Sequence, residues 1–172
     1  SSVLPALRQG NLVLLGFISA SMYIAYSNQE IVLRNQIAAV QKSNEAVFDS
    51  VWKIISQQAK VSEKYKDGFK DIYKSLMSER YSKNDGSLMK WIHESNPEFS
   101  SRLYEQLSNS IESQRLSFLR EQKKLLDLKR EHDNLRQTFP ASVFVGSRSA
   151  IEVTIITSTK TEKVFQTKKE DE

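Results

Sequence analysis

Acid–base or nucleophilic chemistry needs a His, a Cys or paired carboxylates converging within hydrogen-bond reach, and this chain supplies few such groups. It has no cysteine and two histidines, His93 and His132. Without Cys there are no disulfides, no thiolate metal sites and no thiolate nucleophile. Glu121 and His132 fall on one helical seam, but His132 lies three turns further on, about 16 Å along the axis, so the two cannot share a ligand. His132 is expected to be a core histidine with its hydrogen bonds satisfied. Ser108, Ser110, Ser113 and Ser117 cluster on a helical face turned mostly away from the seam, which predicts a solvated face rather than a nucleophile set. There is no glycine-rich phosphate loop, no His-Glu-x-x-His and no Asp-rich calcium loop. The residues predict no catalytic site, no metal and no cofactor. Function must come from the elements and the surfaces they present.

The elements are helices. A chain of 172 residues with 39% hydrophobic content can bury one core. Five Gly and three Pro are few for a loop-rich or all-β protein and suit long helices. Lys and Arg total 25 against 21 for Asp and Glu, and a net charge of +4 spread along the chain does not point to nucleic acid.

Arg8 and Glu30 bracket a charge-free stretch, Gln9 to Gln29. As a helix it spans roughly 30 Å, about the thickness of the hydrocarbon layer. Leu12, Leu15, Phe17 and Ile18 supply the apolar body, and Tyr23 and Tyr26 stand near one end, where amphipathic rings prefer the headgroup boundary. The competing interpretation is a cleavable secretory signal, with Ala25-Tyr26-Ser27 as the small-x-small site. A retained transmembrane helix is preferred because a heptad pattern follows with no linker: no Pro or Gly occurs between Gly16 and Gly68. Arg34 and Lys42 after the segment, against Arg8 before it, lean towards a cytoplasmic C-terminal body.

From Leu33 the positions Ile37, Val40, Asn44, Val47, Val51, Ile54, Gln58, Val61 and Tyr65 alternate spacings of four and three, a seam expected to run on one continuous helix. A second seam runs through Tyr104, Leu107, Ile111, Gln114, Phe118, Glu121, Leu125, Leu128, His132, Leu135 and Phe139. Asn44 and Gln58 are expected to set register. Second stripes, Phe48, Trp52, Ile55 and Ala59 on the first helix and Leu116, Leu119 and Leu126 on the last, make the apolar faces too wide for a two-stranded coiled coil. Phe69, Ile72, Tyr73, Leu76 and Met77 predict one short helix and Leu88, Met89, Trp91 and Ile92 another, with Arg80 to Gly86 between them. Asn96-Pro97-Glu98 predicts the start of the last long helix, and Pro140 its end. The expected fold is all-α: an elongated antiparallel helical bundle of four-helix type, continuing from an N-terminal transmembrane helix.

Past Pro140, Val143, Phe144 and Val145 are expected to pack over the bundle end, with Gly146 permitting a bend. Ile151 to Thr157 is rich in β-branched residues and predicts a short strand, or a hairpin with Val164 and Phe165. Its apolar residues Ile151, Val153, Ile155 and Ile156 are candidate partner-binding positions on a free edge; the equal alternative is a strand tucked along its own bundle. Lys168 to Glu172 is expected to lack fixed structure. The boundaries are residues 1–30 for the tail and transmembrane helix, 31–146 for the bundle and 147–172 for the extended segment and charged tail.

With the helices placed, the chain resembles the LemA family of bacterial membrane proteins. The match is carried in order by the N-terminal segment, by Trp52 followed by Gln57 and Gln58, by Glu94 to Glu98, and by the closing run His132 to Gly146. Within that run Phe139, Pro140, Val143, Phe144 and Gly146 fit the family pattern of Phe-Pro, two small or polar residues, an apolar pair and Gly. His132-Asp133 stands where the family has Tyr-Asn, and Lys60 to Phe69 replaces the family's basic run and Leu-Ile-Pro segment. A divergent member, of the kind a phage carries, would fit these departures. The resemblance implies a helical bundle held at an inner membrane by a single pass, with no established enzymatic activity.

The expected function is that of a membrane-anchored scaffold rather than an enzyme, its bundle mediating self-association or binding protein partners. The alternative is a peripheral binder of anionic surfaces, either lipid headgroups or nucleic acid, through Lys60, Lys64, Lys66, Lys70 and Lys74 and through Arg120, Lys123, Lys124, Lys129 and Arg130. These bases are interspersed with acids, which favours a solvated face.

Overall fold

A computed structural model describes residues 3–78 and 86–153, and every regular element among them is helical. Helix α1 runs Val3–Gln58, α2 Lys66–Leu76, α3 Ser87–Ser95, α4 Ser101–Gln137 and α5 Ala141–Val145, with a 3-10 turn at Glu63–Tyr65. The protein is all-α, as its Gly, Pro and seam pattern predict. By compactness the chain divides into two units. One joins residues 3–39 to residues 125–153, and the described part of the other runs from Val40 to Lys124.

The second unit has a core of rings. Phe69 on α2 is fully buried. Its centroid lies 5.7 Å from Phe48, 5.5 Å from Trp52, 6.0 Å from Tyr73 and 5.5 Å from Trp91, tilted against each. Such offset contacts favour aromatic pairs beyond the area they bury. Leu76, Leu88, Ile92, Leu107, Ile111 and Phe118 close the core. On α2 the buried residues Phe69, Tyr73 and Leu76 recur at helical spacing, with Asp67 in the first turn and Lys74 in the last to complement the helix dipole. Arg115 on α4 finishes the job: its guanidinium donates to the carbonyls of Leu76 at 2.9 Å and Ser78 at 2.7 Å, capping the open end of α2. Burial pushes the Tyr73 hydroxyl pKa up.

The seam expected to continue to Tyr65 breaks after Gln58, although no Gly or Pro is present. Lys60 adopts a left-handed φ of 53°. Tertiary bonds explain the break. Trp52 Nε1 donates to Glu63 Oε2 at 3.0 Å, whereas in a continuing helix these residues would stand about 16 Å apart along the axis. Asn96 Nδ2 then donates to the freed carbonyl of Ala59 at 2.9 Å. Asn96 is therefore the residue that ends α3 and not the start of the last helix. That start is at Ser100, whose Oγ accepts from the Leu103 backbone N–H at 3.3 Å.

Two further expectations are corrected. Leu116 is exposed, so the second stripe on α4 is narrower than its sequence suggests. Phe139 does not complete the α4 seam, because α4 ends at Gln137 and the ring is 79% exposed. Ile151 and Val153, both half-buried, belong to no regular element, while Ile155, Ile156, Val164, Phe165 and Lys168 to Glu172 lie outside the described residues, as does most of the Arg80 to Gly86 separator.

Candidate functional site

The most concentrated chemistry lies in the first unit. Glu30 sits where the charge-free stretch of α1 ends, and stepping back by three from Leu33 places it on the same apolar seam. It is 1% exposed. A carboxylate so deeply buried must be paired or neutral, and three side chains pair it. His132 on α4, fully buried, approaches Glu30 Oε1 with Nε2 at 2.8 Å. Arg34, one turn further along α1, donates to the same oxygen from Nε at 3.0 Å and from its terminal nitrogen at 2.6 Å. Arg148 donates to Oε2 at 2.9 Å and also to Ser27 Oγ.

Burial works to raise the Glu30 pKa, but the hydrogen bonds from His132, Arg34 and Arg148 outweigh it and hold the carboxyl down at about 2. The same bond to Glu30 raises the pKa of Arg148. Ionised Glu30 only accepts, so His132 Nε2 carries the proton and donates. His132 Nδ1 has no hydrogen-bond partner among the described residues. A carboxylate held this far below neutrality is a weak general base. Its hydrogen bonds hold His132, Arg34 and Arg148 together as one polar clasp.

What it clasps is the segment after α5. Arg34 also donates to the Ser149 carbonyl at 2.9 Å, and Arg136 on α4 donates to the Arg148 carbonyl at 2.6 Å. Residues 148 and 149 are thus gripped from both long helices. The approach depends on Gly146: a Cβ there would collide with the Ser142 carbonyl oxygen and come within 3.1 Å of that of Arg136. Gly146 has an ordinary helical φ of −62°. Its role is close backbone passage, not the special bend its type suggested.

The other family-motif positions divide by face. Ala141 and Val145 are buried, Phe144 stacks on Tyr26 with centroids 6.0 Å apart, and Phe139 and Val143 point outward. Leu12, Leu15, Phe17, Ile18 and Tyr23 are all exposed. Of the serines, Ser108 is buried and Ser113 exposed, so they do not share one solvated face. Several bases of the two lysine- and arginine-rich faces meet acids on their own helices, with Lys70–Asp67 at 3.4 Å, Lys129–Asp133 at 2.7 Å and Arg130–Asp127 at 3.4 Å. No cluster of His, Asp and Glu among the described residues is placed to hold a metal ion.

Sequence reasoning found His132 as a buried histidine but missed Glu30, Arg34 and Arg148 as its neighbours. The available signal was the lone acid extending an apolar seam. Arg148 lies outside any periodic element and gave none. No protein-family model, curated protein or solved structure matches this chain.

Proposed function

We propose that this protein is a membrane-anchored scaffold: the charge-free head of α1 spans a bilayer once, and the helical body presents surface to protein partners or to further copies of the chain. One observation carries the reading. The head of α1 is long and apolar enough to cross a membrane, and none of that window is buried against the rest of the protein. A soluble core helix would be covered, and an exposed apolar surface this long is untenable in water.

The polar clasp supports a retained anchor over a cleaved signal. Tyr26 and Ser27, which occupy the candidate cleavage motif, pack on Phe144 and accept from Arg148. The buried core residues of α1, α2, α3 and α4 support an antiparallel bundle of four-helix type as the body. The Phe139-Pro140 turn and the closely passed Gly146 support a place for the chain beside the LemA family, in a bacterial or phage-encoded inner membrane protein, and Arg34 and Lys42 after the span, against Arg8 before it, lean towards a cytoplasmic C-terminal body.

Carbonate washing of membranes from expressing cells is expected to leave the full-length chain in the pellet, and detergent extraction with cross-linking to give oligomers or a captured partner. Recovery of an intact, uncleaved chain in the soluble fraction would overturn the anchor. A strictly monomeric, partner-free species would overturn the scaffold.

A further inference from the structure

The turn between α4 and α5 leaves two large apolar side chains in the open: Phe139 is 79% and Val143 69% exposed. Phe139 stands in the turn itself and Val143 on α5, whose buried residues are Ala141 and Val145. The run that carries them, Gln137 to Ser147, holds no charged residue and is bracketed by Arg136 and Arg148.

The turn is also fixed in place along α1. Phe144 stacks on Tyr26 at an interplanar angle of 20°, and Arg148 reaches Ser27 and Glu30. These contacts hold the charge-free turn beside residues 26–30, where the charge-free stretch of α1 ends. A shallow groove of about 600 Å³ lies there, lined by Tyr26, Gln29, Asn134, Phe139 and Pro140 among others, with the carboxylate-bearing Glu131 at its α4 side. The turn itself sets Phe139, Val143 and Phe144 beside Gln137, Thr138 and Ser142, and apolar side chains mixed with uncharged polar ones are the composition of the headgroup boundary, not of the hydrocarbon interior.

We propose that the α4–α5 turn is a second membrane foothold, with Phe139 and Val143 inserting into the headgroup and glycerol layer of the bilayer beside the span. The inference rests on α1 being the span, because the depth of the turn follows from that of Tyr26. Continuity with the anchor is what selects lipid over a protein partner: a turn pinned at that level meets the bilayer surface before anything else. The body is then tethered at two points and cannot swivel freely about a single helix.

The absence of native cysteine allows a direct test in the full chain. Single variants Leu15→Cys, Phe139→Cys and Val143→Cys, each carrying an NBD label, are placed in phosphatidylcholine nanodiscs with one chain per disc and either shallow- or deep-doxyl lipid. The expected result is strong quenching of the Leu15 label by the deep quencher. The Phe139 and Val143 labels should shift to the blue and lose most of their emission with the shallow quencher. Quenching at Leu15 with no change at either turn position would sink the foothold and leave the span standing. No quenching at any of the three would sink both. A blue shift at the turn that appears only with two chains per disc, and without lipid quenching, would assign the face to a second copy and overturn the proposal.

Discussion

Phe69 and Glu30 are both almost wholly buried, one within each compact unit, and they are opposite kinds of side chain. Around Phe69 stand rings that gain from area and shape. Around Glu30 stand three donor side chains that gain from charge. A ring core is indifferent to pH but intolerant of lost volume. A buried ionic clasp is the reverse: removing one member leaves the others desolvated and unpaired. One chain therefore carries two stabilities that respond to different insults.

The sharpest way to break the comparison is to hollow out the ring core. Phe69→Ala should cost about 3–5 kcal/mol in the unit holding residues 40–124. Trp52 and Trp91 both lie there, so the urea midpoint of tryptophan fluorescence reads that unit. Hydrogen exchange at residues 132–136 should be left largely as it was; equal loss in both segments would show that the units are not separately stabilised.

Acid should do the converse. Glu30 titrates near 4.5 when unfolded and near 2 when folded. The unfolded state therefore binds the proton first, and the stability that Glu30 contributes is present above about pH 4.5 and drains away as pH falls towards 2. The difference amounts to about 3 kcal/mol. Exchange at residues 132–136, corrected for intrinsic rate, should accelerate over that window while the tryptophan signal of the other unit holds. Glu30→Gln should flatten the dependence; an unaltered acid profile in that variant would remove Glu30 as its source.

Smaller effects sharpen the contrast. Gly146→Ala must push the Ser142 and Arg136 carbonyls aside and should cost roughly 1–3 kcal/mol, visible as faster exchange after α5 and at the Arg34 and Arg148 grips. Lys60→Gly should stabilise the second unit by roughly 1 kcal/mol, because Lys60 holds a left-handed φ that glycine adopts without strain. A raised tryptophan midpoint is the expected readout, and a lowered one would mean that the Lys60 side chain makes contacts worth more than the backbone relief.

The long helices were legible because apolar spacing is a local property: Ile37, Val51, Leu107, Phe118 and Leu125 are all buried where their seams place them. The break after Gln58 was not. It depends on Trp52 finding Glu63 and on Asn96 finding Ala59, pairings that exist only once the chain has turned back. Asn96 itself was assigned to the wrong helix end because Asn serves at both termini. The clasp was half legible. His132 stood out as a polar residue on an apolar seam, and Glu30 did so equally once the seam was extended backwards. Arg148 came from a segment with no period to follow.

His132 also decides how far α1 and α4 can travel past one another. Displacing either helix by one turn, about 5.4 Å, would carry the imidazole away from a partner it meets at 2.8 Å and maroon the Glu30 carboxylate beside Leu128, Leu135 or another apolar neighbour on that row. Long oily stripes alone would permit such sliding, since Leu replaces Leu at each step. A single acid answered by a single imidazole makes the shaft a keyed one, with one depth at which it seats.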